Sequence, residues 1–263
     1  MKSLAEWPLA ARRSLVGVLT DIDDTLTTDG TITPDALAAL AALREAGLHV
    51  VAVTGRPVGW SEPFARAWPV QAIVAENGAV ALVRETDGRL RKLYQQDAAT
   101  REQNFQRLQA AARHIVDIVP GVQLAQDSAG RETDIAIDHS EFTQLPADRI
   151  EQVVAVMRAR GLHATVSSIH INGWFGDHDK LSGARWILRE LLGRDLEAEI
   201  DQWAYVGDST NDERMFARFP NAVGVANVRR FSSVLRHLPR YIAEGERGIG
   251  FAQVAHAVLA ARA

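Results

Sequence analysis

The sequence predicts an α/β protein in which a core built on a parallel sheet is interrupted by an inserted α+β unit with an antiparallel sheet. Three observations carry that expectation. Between residues 14 and 75, short runs that are apolar throughout alternate with helical patterns, as in strands covered on both faces by their connecting helices. From Ala79 to Trp174, consecutive strand patterns and a hairpin signal replace the alternation. After Asp179 it returns. The core is expected over residues 1–80 and 179–263 and the insert over 81–178, ordinary sizes for such units.

The first strand is expected over residues 14–20. Arg12-Arg13 and the apolar run behind them superficially resemble a signal peptide, but the run is short and ends in Asp21, Asp23 and Asp24. A translocated segment would not end in three carboxylates, so a buried strand of a cytoplasmic protein is the better reading. A helix follows over 34–46, with Pro34 in its first turn, Leu37, Leu40 and Leu43 on one face, and Gly47 as its stop. Next come a strand at 48–53, a helix at 57–68, and a strand at 71–75 closed by Asn77-Gly78. Runs at 79–83 and 90–94 flank Asp87-Gly88, a hairpin signal. The insert continues with a long helix at 100–119, a strand at 134–137, a helix at 147–160 ended by Gly161, and strands at 162–168 and 170–174. The rest reads as helix 180–192, strand 203–206, helix 211–218, strand 222–225, helix 228–238, strand 241–243 and helix 251–260. No internal repeat or low-complexity tract interrupts this order.

Composition narrows the function. The chain is 47% apolar and 24% charged, with 29 Lys+Arg against 33 Asp+Glu, values of an ordinary globular protein rather than a disordered chain, a collagen or a rod. No apolar run approaches the eighteen or so residues of a membrane span. A net charge of −4 gives no global attraction to nucleic acid or anionic lipid, so neither is an expected partner and any anionic ligand needs a local site. Cysteine is absent, which excludes disulfides, thiolate metal sites and a cysteine nucleophile.

Four segments stand out. Asp21-Ile-Asp23-Asp24-Thr25 follows the first strand directly. Thr54-Gly55-Arg56 closes the second. Lys180 opens the helix after the insert, and Gly207-Asp208-Ser-Thr-Asn211-Asp212 closes the strand after that. Each alone reads as a turn, an N-cap or a solvated lysine. Together, three of them at the carboxyl ends of strands, they mark the place where open parallel sheets bind ligands.

In this order the four segments resemble the motifs of the haloacid dehalogenase superfamily of phosphohydrolases. The resemblance spans residues of about 12–80 and 179–263 and implies a Rossmann-like core. The α+β insert between the second and third motifs resembles the cap (type C2B) of subclass IIB, the Cof-like and sucrose-phosphatase-like members. Glu76-Asn77-Gly78-Ala79 is similar to a segment of that subclass, which holds sugar-phosphate phosphatases and phosphomannomutases. Asp24 stands where many members have glycine.

The resemblance implies that Asp21 is the nucleophile, forming an aspartyl-phosphate. Asp23 is the general acid for the leaving alkoxide and then the base for water. In an extended chain Asp23 points away from Asp21, so a bend directly after the strand is required to bring both to one site. Asp21, Asp23, Asp208 and Asp212 around a phosphate dianion demand cations, and Mg²⁺ suits carboxylate and carbonyl oxygens. The implied ligands are Asp21, the Asp23 carbonyl and Asp208, with Asp212 orienting waters or Lys180 behind them. Lys180, the Thr54 hydroxyl, the Gly55 amide and Asn211 would bind phosphoryl oxygens, and Arg56 is a further substrate contact. On the cap's return strand, His170 and Asn172 are the substrate-contact candidates, beside Trp174, Asp177 and His178. The alternatives are a hairpin turn for Asn172-Gly173, a place in the cap core for Trp174, and a solvated loop rather than a metal site for His170, His178 and Asp179. Arg131 and Glu132 are ambiguous. The expected activity is an Mg²⁺-dependent phosphatase acting on a small phosphorylated metabolite, most simply a sugar phosphate, as a monomer or homodimer. A sugar phosphomutase of the same fold and a non-catalytic phosphometabolite-binding module are the alternatives.

Overall fold

A computed structural model of the chain describes residues 1–262. The chain opens with a short strand β1 (Lys2–Ser3) and helix α1 (Leu9–Arg13), then enters β2 (Gly17–Thr20). A small hairpin, β3 (Thr27–Thr28) and β4 (Thr31–Ile32), precedes α2 (Pro34–Glu45), β5 (His49–Val53), α3 (Val58–Ala67) and β6 (Ala72–Ala75). Then follow β7 (Val80–Arg84) and β8 (Leu90–Tyr94), α4 (Ala98–Ile118), β9 (Gln123–Leu124), β10 (Asp134–Asp138), α5 (Ala147–Ala159), β11 (His163–Val166) and β12 (His170–Trp174). The chain closes with α6 (Lys180–Leu192), β13 (Trp203–Gly207), α7 (Glu213–Arg218), β14 (Asn221–Gly224), β15 (Tyr241–Ile242) and α8 (Arg247–Leu259).

Nine strands form one sheet in the order β1-β15-β14-β13-β2-β5-β6-β7-β8. The pairings from β1 to β6 are parallel. Alternate residues feed two apolar layers. Val18, Val50, Ala52 and Ile73 pack with Leu40, Leu43, Phe251 and Val254 from α2 and α8. Leu19, Val51, Val53 and Val74 pack on the other face with Ile187, Leu188, Met215 and Phe216 from α6 and α7. This two-sided burial is why the strands read as unbroken apolar runs.

The hairpin around Asp87-Gly88 forms, but not in the insert. β7 pairs antiparallel with β6, and β8 with β7, extending the core sheet. The cause lies in β7 itself: Val80 and Leu82 enter one apolar layer while Ala81 and Val83 enter the other. A strand apolar on both faces needs cover on both, which a free cap hairpin lacks. The insert therefore leaves the core after Tyr94 rather than at residue 81.

The second sheet, β11-β12-β10-β9, is antiparallel. Ile135, Ile137 and Ile171 face α4 and α5 through Leu108, Ile115, Val153 and Met157. The alternate residues Asp134, Asp138, His170, Asn172 and Trp174 occupy the opposite face by the period-two rule, and Asp134 and Asn172 reach the core there.

Two further expectations are corrected. Asn172-Gly173 is not a turn; it lies inside β12, paired with Ala136 and Ile135 of β10. Gly173 is small because a Cβ there would lie 2.8 Å from Met157 Sδ. The chain reverses instead at Ser167–Ile169, where Ser167 N donates to His170 O. Residues 228–238 are not an α-helix but successive tight turns, with Val228 N, Ser232 N and Val234 N each bonded three residues back. Only Val228 and Leu235 of the stretch are fully buried and Val234 is 65% exposed, so no continuous apolar face stabilises a helix.

Candidate active site

Asp21 sits one residue past β2, its N–H held by Val206 O at 2.9 Å. The bend required after it is present. Thr25 N and Leu26 N both donate to Ile22 O, at 3.2 and 2.8 Å, and Asp24 takes a left-handed φ of +54°. Aspartate tolerates that conformation better than most residues, which accommodates Asp24 in the bend. Asp21 and Asp23 consequently line one narrow cleft with Gly55, His170, Asn172 and Asn211.

Lys180 reaches this cleft from the start of α6. Its Nζ donates to Asp21 Oδ1 at 2.5 Å and to Asp212 Oδ1 at 2.7 Å. Two features place it. Asp179 caps the helix, accepting from Ser182 N at 2.7 Å. Gly78 and Gly183 let α6 approach the turn after β6 so closely that a Cβ on Gly183 would lie 2.5 Å from Gly78 Cα. Burial alone would lower the Lys180 pKa, but the Asp21 and Asp212 carboxylates outweigh it and raise it, so the ammonium stays charged.

Asp21, Asp208 and Asp212 each offer a carboxylate oxygen within 4.8 Å of the others, all buried. Burial pushes Asp21 up to about 8 against the pull of Lys180. Burial, with Asp21 and Asp212 alongside, raises Asp208 well above the carboxylate range. Asp208 Oδ2 accepts from Asn227 Nδ2 at 2.9 Å, whereas its buried Oδ1 has no protein partner. Three carboxylates against one ammonium leave two uncompensated charges in a buried place, where unpaired charge is costly. An orphaned carboxylate oxygen in an all-oxygen donor set suits a hard divalent cation such as Mg²⁺.

Asp212 is committed elsewhere. Its Oδ1 accepts from Lys180 and the Tyr205 hydroxyl, and its Oδ2 from the Asp208 and Ser209 amides at 2.9 and 3.1 Å. That suits a group orienting Lys180 and the Asp208 loop. The Asp23 carboxylate lies outside the trio, on Arg56 Nε at 2.8 Å.

Thr54 Oγ1 accepts from Arg56 N at 3.0 Å and donates to Asp23 Oδ2 at 3.5 Å. Gly55 is crowded: a Cβ there would come within 3.2 Å of Asn77 and 3.3 Å of Asn172. Asn211 lines the cleft with Oδ1 accepting from Ser209 Oγ at 3.0 Å. Arg56, the expected substrate contact, is instead spent on carboxylates: Asp23, Asp127 at 3.1 Å, and Glu141 at 2.7 Å.

His170 and Asn172 do reach the cleft, but both are tied to protein groups. His170 Nε2 lies 2.8 Å from Glu141 Oε2. Asn172 Nδ2 donates to Asp134 Oδ2 at 3.1 Å and to Gly55 O at 3.3 Å. The expected solvated loop is corrected at both histidines, since His170 is 2% and His178 6% exposed. Trp174 is buried with its ring stacked on His163 and His178, while Asp177 points into solvent.

Several groups escaped the sequence reading: Glu141, Asp127, Asp134, Asn227, Tyr205 and the ambiguous Arg131. Arg131 Nη1 donates to Asp134 Oδ1 and Gly55 O at 2.8 and 3.0 Å. The signal for Asp134 was its alternation with Ile135 and Ile137, since the polar face of such a strand has to meet something. Nothing comparable marked Asp127 and Asn227, which sit in short 3₁₀ turns, or Glu141, which sits in a loop.

Residues 18–119 match the haloacid dehalogenase-like hydrolase family. The matched span contains Asp21, Asp23 and Thr54; Lys180, Asp208 and Asp212 join them by the geometry above. Along its length the chain is 26% identical, over 245 residues, to a phosphoglycolate phosphatase of Pyrobaculum neutrophilum, covering 92% of this chain and 95% of that one. Its fold is similar to that of a Thermoplasma acidophilum protein (TM-score 0.70, 16% identity, 93% and 99% of the chains). It is also similar to the sucrose-phosphatase of Synechocystis, solved with sucrose and phosphate (TM-score 0.65, 17% identity, 93% and 98%). Among the described residues no helix is long and apolar enough to cross a membrane.

Proposed function

We propose that this hydrolase is a divalent-cation-dependent phosphatase of a small phosphorylated metabolite with a polyhydroxylated leaving group, in simplest form a sugar phosphate. The carrying observation is Asp21: a buried carboxylate held by Lys180 at 2.5 Å, with Asp23 at the same cleft. Asp21 attacks phosphorus, the bond from phosphorus to the ester oxygen breaks, and Asp23 gives its proton to the departing alkoxide. Asp23 then takes a proton from water as the water attacks the aspartyl-phosphate, returning Asp21 and free phosphate. Lys180, the Thr54 hydroxyl and the Gly55 amide hold phosphoryl oxygens throughout. A divalent cation held by Asp21, Asp208 and the Asp23 carbonyl would offset charge on the transferring group.

The leaving group belongs on the side of Asp23, the proton donor. Asp23 also lines a cavity of about 490 Å³ between the β3–β4 hairpin and the cap. Its walls carry four carboxylates, Asp23, Asp24, Asp29 and Glu141, against three arginines, Arg56, Arg230 and Arg247. Every one of those arginines is already on a carboxylate. With no spare cation, the cavity favours a neutral hydroxylated group over a second acid. The Pyrobaculum relative's name points the other way, to phosphoglycolate, whose leaving alcohol carries a carboxylate.

A phosphate-release assay over sugar phosphates, polyol phosphates and phosphoglycolate, with Mg²⁺ and with EDTA, tests both readings. Turnover of sugar phosphates only with Mg²⁺, abolished in Asp21→Asn, is expected. Preference for phosphoglycolate would overturn the leaving-group assignment, and no turnover of any ester would overturn the phosphatase.

A further inference from the structure

Arg56 is a core residue whose guanidinium is gripped mostly from the cap. Its Nε donates to Asp23 Oδ1 at 2.8 Å. Its Nη1 donates to Asp127 Oδ2 and Glu141 Oε2 at 3.1 and 3.2 Å, and its Nη2 to Glu141 Oε1 at 2.7 Å. The two cap carboxylates are themselves fixed. Arg131 Nη2 holds Asp127 at 3.0 Å. Glu141 meets His170 Nε2 at 2.8 Å, and its own N–H is anchored on Asp138 Oδ1 at 2.9 Å. The guanidinium also lies over the Trp60 ring, 4.8 Å from its centroid. A planar fork held this way keeps its Nε in one place, as an ammonium on a flexible stem would not.

We propose that Arg56 and Glu141 are positioning residues: the seated cap clamps Arg56 through Glu141 and Asp127, and Arg56 in turn aims the Asp23 carboxyl at the leaving oxygen. The cap thereby completes the acid–base apparatus as well as roofing it. The proton still passes from Asp23 to the ester oxygen as its bond to phosphorus breaks; Arg56 contributes only direction. This inference rests on the phosphatase reading.

A well-aimed acid matters when the departing group is a poor one and little when it leaves easily. The test is kcat/KM, which reports steps through departure of the leaving group, for phenyl phosphate and 4-nitrophenyl phosphate. It is measured on the wild-type chain, Glu141→Gln, Asp127→Asn and Arg56→Lys. Glu141→Gln and Arg56→Lys are expected to lose about tenfold or more on phenyl phosphate and under about threefold on 4-nitrophenyl phosphate, with Asp127→Asn intermediate. Thermal melts identify any variant that fails to fold, and the near-isosteric Gln and Asn variants then carry the test. An equal fall on both esters, or no fall on either, overturns the positioning role while leaving the phosphatase standing. Failure of the wild-type chain to hydrolyse either ester removes the positioning role, and the phosphatase falls with it where the metabolite esters are inert as well.

Discussion

At the residue scale, the site is dominated by uncompensated negative charge, and that has a sign. Asp21 has a folded-state pKa pushed up to about 8 by burial, against an unfolded value near 4. Across that interval the folded state binds more protons than the unfolded chain, so metal-free stability falls as pH rises from about 4 to about 8. Melting in EDTA should show a Tm that drops between pH 5 and 8, with Mg²⁺ restoring more at pH 8 than at pH 5. A flat profile in EDTA would contradict burial as the force that governs the Asp21 carboxyl. Asp208→Asn should act in two directions. Removing a charge from the trio raises Tm in EDTA, and the Mg²⁺-induced rise in Tm disappears with the donor. A variant that keeps that rise would show that Asp208 Oδ1 is not a metal ligand. The residues of this centre were legible in advance because each lies at the end of a strand or the start of a helix. Arg56 was legible as a site residue but not in its role. Its partner Asp127 lies in a short 3₁₀ turn and Glu141 in a loop of the cap, and distances across 71 and 85 positions of sequence leave no local pattern.

At the scale of elements, Lys180 is only as well placed as the helix that starts with it. Gly183→Ala drives a Cβ to 2.5 Å from backbone at Gly78, with no flexible side chain to yield. It should cost about 1–3 kcal/mol and lower phosphate release beyond what the stability loss explains, both read from melts and rates on the same preparation. Full activity would show that α6 can shift without moving its lysine. Glu76 gives the cap a further attachment. Its buried carboxylate accepts from Val58 N at 3.1 Å in the core and from Glu132 N at 3.0 Å and the Thr133 amide and hydroxyl at 2.5 Å in the cap. Glu76→Ala strands those donors and should cost about 3 kcal/mol or more, with faster proteolysis near residues 126–133 as the readout. Most elements followed from periodicity, within a residue or two at each end. Two of the failures, the hairpin and the expected turn, share one cause. A hairpin signal says that two strands pair with each other but not which sheet they join, and Asn172-Gly173 has turn chemistry overridden by strand pairing on both sides.

At the scale of the whole molecule, the apolar residues divide into two layers around the large sheet and a third cluster inside the cap. None of the three straddles the junction between core and cap. The junction is made instead of arginines, carboxylates and amides, and the cleft of Asp21 and Asp23 opens in the middle of it. Its ion pairs are buried, with Arg56 4% and Arg131 2% exposed, so dissolved salt screens them little. Raising salt is expected to leave KM and Tm nearly unchanged; a steep rise in KM with salt would show that the joint opens to water.

The insert also begins and ends at one spot, where Gln96 Nε2 donates to Phe175 O at 3.0 Å. Since neither half borrows oil from the other and the two crossings are adjacent, a transplanted roof would leave both greasy interiors whole, but it would have to bring its own grip for Arg56.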